Sequence, residues 1–196
     1  WDRYQILQCY MVMGGIPFYL SLIDPRQSLV QNVDRLFFSH GGIMRGEFDE
    51  LYNALFSNAE LYISVVKALA QHHDGMTRTE ISKVIGANGG TLTRVLTNLE
   101  RCDFISRSQN FGCKTKDTIY RLMDFYTLFY YKFIAQDTSG DEQWWSHNFE
   151  SRLVSTWQGL TFEIVCLMHT DCIKKALGIS GMATEVSSWR KVADDK

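Results

Sequence analysis

The sequence predicts a mainly α-helical fold with one small β-ribbon. Three observations carry that expectation: apolar residues recur at helical spacing over most of the chain, capping signatures open several helices, and two short β-type runs flank a polar loop. Tyr4 to Met13 reads as an apolar-rich helix stopped by Gly14-Gly15-Ile16-Pro17. The glycines free the backbone there, and Pro17 suits a first helical turn, where its missing N–H is no loss. Phe18-Tyr19-Leu20 starts the next helix. Asp24-Pro25 marks a further start, leading through Leu29, Val33, Leu36 and Phe37 to the Ser39-His40-Gly41-Gly42 loop. Glu47 to Phe56 is one more amphipathic helix.

Residues 57–123 carry the most specific pattern. Ser57 with Glu60 forms a capping box ahead of Leu61, Tyr62, Val65, Val66 and Leu69, one buried helical face, and Asp74-Gly75 supplies the turn. A second capping box, Thr77 with Glu80, opens a short helix bearing Ile81, Val84 and Ile85. Gly86 to Gly90 then gives a tight turn. In the third helix Leu92, Val95, Leu96 and Leu99 face the core, leaving Thr91, Thr93, Arg94, Thr97, Asn98 and Arg101 outward. Phe104 to Arg107 and Thr118 to Arg121 read as strands around the polar, basic loop Asn110 to Asp117. Three helices followed by a β-ribbon make a winged helix-turn-helix, whose third helix carries the side chains that read bases where the module binds DNA.

Composition limits the remaining possibilities. With 196 residues and 45% hydrophobic content the chain can bury one or two cores, and no apolar run approaches the roughly 20 residues of a membrane-spanning helix. The N-terminus lacks a basic region followed by an apolar one, so a cytoplasmic location is expected. Cys9, Cys102, Cys113, Cys166 and Cys172 form no CxxC pair and read as structural thiols; neither a disulfide nor a metal is expected. His40, His72, His73, His147 and His169 show no ligand spacing.

Charge is uneven along the chain. Residues 1–75 hold five Lys/Arg against eight Asp/Glu, 76–123 hold eight against four, and 124–196 hold seven against ten. The basic middle is compatible with phosphate contacts from Arg107, Lys114 and Lys116, although an excess of four is modest for a chain whose main task is gripping double-stranded DNA. The charge balance therefore favours a winged helix that packs against another part of its own protein, with DNA binding as the alternative.

Several runs are also similar to a known family. Gly14-Gly15-Ile16-Pro17-Phe18-Tyr19-Leu20, Asn32 to Phe38, Glu47 to Tyr52 with Leu55-Phe56, Asp124 to Tyr130, Trp157 to Glu163, and Ala176 to Gly181 through Thr184 to Trp189 appear in order. This succession resembles the region that follows the nucleotide-binding core in the archaeal-type ATPases of the AAA+/STAND group, whose polypeptides continue into a winged helix and a restriction-endonuclease-like domain. The resemblance implies a helical lid at 1–56, the winged helix at 57–123, a connecting helix and linker at 124–140, and the opening helices and strand of a truncated α/β endonuclease-like region at 141–196. It places Gly14, Gly15 and Pro17 near a bound nucleotide, and it matches Glu163 to a metal-binding acid, with Glu185 a weaker match.

The same resemblance implies ATP and Mg for the parent protein, but this stretch has no G-x-x-x-x-G-K-[ST] loop and no later Asp with Glu-x-Lys pair. The expectation is therefore a non-catalytic fragment that needs no cofactor and couples the nucleotide state of its parent ATPase to a C-terminal effector, with double-stranded DNA binding through residues 91–101 and the wing as the alternative. Trp144-Trp145 and the aromatic run Phe125 to Phe133 are expected to pack rather than bind a ligand.

Overall fold

The computed structural model describes residues 1–109 and 118–184. They are mainly helical with a small three-stranded sheet. The chain divides into two compact units: Trp1–Ala59 with Asp124–Ile173, and Glu60–Met123 with Lys174–Lys196.

In the first unit α1 (Arg3–Met13) starts at Asp2, whose carboxylate accepts from the Gln5 N–H at 2.7 Å while the Gln5 side chain accepts from the Asp2 N–H. It ends at Gly14, at φ 70°, whose N–H donates to the Tyr10 carbonyl. Pro17 then occupies the first turn of α2 (Pro17–Ser21). The next helix begins later than the Asp24-Pro25 step suggests. Asp24 is held in a turn by the backbone and guanidinium of Arg26, and the buried Asn32 amide ties the Asp24 and Ser28 carbonyls together. Ser28 with Gln31 forms the capping box that starts α3 (Leu29–Val33). That helix runs on through a π-helical turn, Asp34–Phe38, to α4 (Ile43–Leu55). After the other unit come α8 (Phe125–Phe129), a second π-helical turn (Tyr130–Ile134), α9 (Trp144–Asn148) and α10 (Arg152–Met168). The helical course breaks at His169, which ends α10, and α11 (Thr170–Ala176) follows.

This unit is cored by rings. Phe129 meets Phe37 at a centroid distance of 4.8 Å, Trp145 at 5.1 Å and Trp157 at 5.4 Å, each edge-on, a geometry favoured by the ring quadrupoles. Trp144 stacks on Phe38 and Trp145 is fully buried, so the tryptophan pair belongs to this core. Polar groups then tie residues 34–45 to 137–146. Asp34 accepts from the backbone N–H groups of Trp145 (2.8 Å) and Ser146 and from the Ser146 hydroxyl, capping α9 from a distant segment. His40 bonds Glu142, and Arg45 pairs with Asp137 at 3.3 Å.

The second unit contains α5 (Ala59–Ala70), β1 (Met76–Thr77), α6 (Arg78–Ile85), α7 (Gly89–Arg101), β2 (Ile105–Gln109) and β3 (Thr118–Leu122). The first helix starts two residues after Ser57. Strand order is β1-β3-β2, antiparallel throughout, with Ile105 opposite Leu122, Arg107 opposite Tyr120, and Met76 opposite Tyr120 on the other edge. The two-residue β1 was not expected from the sequence, since so short a run has no alternation to detect. Its position forces Gly75: at φ 77° it sits where a Cβ would lie 2.6 Å from the Tyr120 carbonyl oxygen.

Candidate nucleic-acid interface

Local chemistry sets the geometry of the helix-turn-helix. Thr77 Oγ1 accepts from the Glu80 N–H at 3.2 Å, and the Glu80 carboxylate accepts from the Thr77 N–H at 2.7 Å, so α6 starts at a reciprocal cap. It stops at Gly86 in the left-handed conformation, with the Gly86 N–H on the Ser82 carbonyl. Arg78 donates to the Gly89 carbonyl at 2.8 Å and so links α6 to the first residue of α7. Leu92, Val95, Leu96 and Leu99 are all buried, the single apolar face that the spacing predicts. At the far end Asp103 takes φ 59°, and the Phe104 N–H returns to the Leu99 carbonyl to aim the chain into β2.

The outward positions of α7 are not equivalent. Turning 100° per residue places Gly90, Arg94, Thr97 and Arg101 along one line opposite the core. Thr91, Arg94, Thr97 and Arg101 are exposed, and none has a side-chain hydrogen bond or ion pair among the described residues. Thr93 is exposed, but its hydroxyl bonds back to the Gly89 carbonyl at 3.1 Å. Asn98 is half-buried and donates to the Tyr62 hydroxyl at 2.8 Å, fastening α7 to α5. Arg107 pairs with Glu100 at 2.8 Å, which neutralises the one carboxylate of α7. Lys114 and Lys116 lie outside the described residues.

Of the residues singled out by resemblance, Gly14, Gly15, Pro17 and Glu163 lie in the first unit, and Glu185 lies outside the described residues. Gly14, Gly15 and Pro17 form the corner between α1 and α2, where a Cβ on Gly15 would make only ordinary contact with the Tyr10 ring. Glu163 is exposed, midway along α10. No group of three or more His, Cys, Asp or Glu side chains among the described residues is arranged to hold a metal. The sequence gives no sign of the roles of Tyr62 and Glu100, since both depend on which helix or strand lies alongside α7.

Residues 64–111 match the MarR family model. The match runs from within α5 through α6, α7 and β2 and supports a winged-helix region there; it covers less than half of the chain. No curated protein and no solved structure matches the chain. No helix among the described residues is long and apolar enough to cross a membrane.

Proposed function

We propose that the winged-helix region binds double-stranded DNA as a regulatory module, with α7 in the major groove, acting by occupancy and without turnover in the cytoplasm. The observation that carries this reading is the line of Arg94, Thr97 and Arg101. It is exposed and, among the described residues, unengaged within the stretch that matches the MarR model, and no uncompensated carboxylate among them lies on it. Free cations on an outward helical face supply phosphate attraction, and unengaged polar side chains supply contacts to base edges.

The test is fluorescence anisotropy of the 196-residue chain with labelled duplexes at low and moderate salt. Affinity is expected to fall steeply as salt rises, and the pair Arg94→Ala with Arg101→Ala should weaken binding and flatten the salt slope by about one to two. Undetectable binding at low salt overturns the proposal.

A second reading, the adaptor of a nucleotide-binding ATPase, is favoured by one feature of the first unit. Beside the Gly14-Gly15 corner, Phe18 and Leu20 are 51% and 43% exposed, apolar surface that a partner docked at the corner would cover. In that reading ATP and Mg belong to the partner core, and DNA affinity is absent. The same titration therefore separates the two readings.

A further inference from the structure

We infer that α7 reads a guanine through Arg94, with Thr97 set against a thymine methyl on a neighbouring step; this rests on the proposal that α7 binds DNA. The inference follows from elimination among the side chains that the face presents. Asn is the usual bidentate reader of adenine, but Asn98 has its amide on Tyr62 and is half-buried. Thr93 is turned back onto its own helix, and Arg107 is held by Glu100. Arg94 is left as the one guanidinium at the middle of the face with no partner among the described residues. A free arginine fork matches guanine O6 and N7, the commonest specific contact of the major groove.

Spacing fixes the companion. Thr97 lies three residues on, a rise of about 4.5 Å, close to the roughly 3.4 Å between successive bases on a strand. Its methyl offers apolar contact to the C5-methyl of thymine, and its hydroxyl accepts or donates without preference. Arg101 is a further turn along, about 10 Å from Arg94, where a straight helix leaves the groove floor for the phosphates. It therefore contributes affinity without sequence preference.

Gly90 adds an independent indication. It stands on the same line as Arg94, a Cβ there meets nothing within 4 Å, and its φ is an ordinary one. The fold gives no reason for glycine at that position, whereas a backbone that must approach another surface closely does.

The experiment is selection of bound duplexes from a randomised pool by the 196-residue chain, followed by anisotropy with single-site probes. Guanine with an adjacent or next-adjacent thymine is expected in the enriched set. Replacing that guanine by 7-deazaguanine, which removes only N7, should weaken wild-type binding about tenfold and leave Arg94→Ala unaffected. Arg94→Gln should move the preference toward adenine. Gly90→Ala should weaken binding while raising thermal stability. If Arg94→Ala weakens every duplex equally, or if selection enriches no guanine, this inference fails while DNA binding stands. If no duplex is bound at low salt, both fail. All the variants are on an exposed face, and circular dichroism will show that each remains folded.

Discussion

The winged-helix unit is built on aliphatic side chains and its companion on rings, and the two differ in how they treat polar groups. In the former, Val65, Leu69, Ile81, Leu92, Leu96 and Ile119 fill the interior, and polar side chains serve as caps and edge ties. In the latter, Phe37, Tyr52, Tyr126, Phe129 and Trp145 are buried together with Asn32, Asp34 and Thr127, each of which makes hydrogen bonds. Periodic aliphatic faces specify helices one at a time. Rings and buried hydrogen bonds specify how distant segments meet, because each has a preferred angle or partner.

The largest test of this contrast is in the ring core. Trp145→Ala should lower stability by about 3–5 kcal/mol in urea titrations followed by near-UV circular dichroism. The Trp145 indole N–H is buried without a hydrogen-bond partner among the described residues. Trp145→Phe, which keeps a ring and removes that donor, should lose much less, about 1 kcal/mol. Equal losses in the two variants would break the claim that ring contact is what matters there.

A smaller effect is expected at Asp34, which caps α9. Asp34→Ala should destabilise by about 1–2 kcal/mol, read from the urea midpoint. Burial raises the pKa of Asp34, outweighing the hydrogen bonds from Ser146 and Trp145 that favour the carboxylate. Between the unfolded value and the raised one, the folded chain therefore holds a proton that the unfolded chain has released. The contribution of Asp34 is complete below the unfolded value and is lost as pH rises through the folded one. Asp34→Asn removes that titration, so its stability should depend less on pH across this window than the wild type's. An unchanged profile would show that another carboxylate, such as the half-buried Asp124, whose pKa desolvation also raises, is responsible.

The smallest effect is at the aliphatic unit's cap. Thr77→Ala should cost about 1 kcal/mol and show as faster amide exchange at Arg78, Thr79 and Glu80. A loss as large as that of Trp145→Ala would erase the contrast between the units.

How much was legible in the sequence follows the same division. The Thr77/Glu80 box, the Gly86 stop and the Leu92, Val95, Leu96, Leu99 face were all readable, because caps and periodic faces are local. The mainly helical class with a small wing follows from them. In the candidate interface the outward positions of α7 were readable, but their inequality was not: Asn98 is taken up by Tyr62, 36 residues earlier, and Arg107 by Glu100 from another element. The shift of a helix start from Asp24-Pro25 to Ser28 came from the buried amide of Asn32, and the α9 cap came from Asp34, more than a hundred residues before it. No window of sequence contains both partners of such bonds.

The interrupted course of the ring-cored unit has a consequence for the order of assembly. Its two halves, Trp1–Ala59 and Asp124–Ile173, are separated by the whole of Glu60–Met123. Bringing them together closes a loop of that length, at an entropic cost of about 4 kcal/mol before any ring touches another. The stretch Glu60–Met123 is itself continuous, and its condensation ahead of the ring core would shorten the span that Phe129 and Trp145 must bridge to reach Phe37 and Asp34.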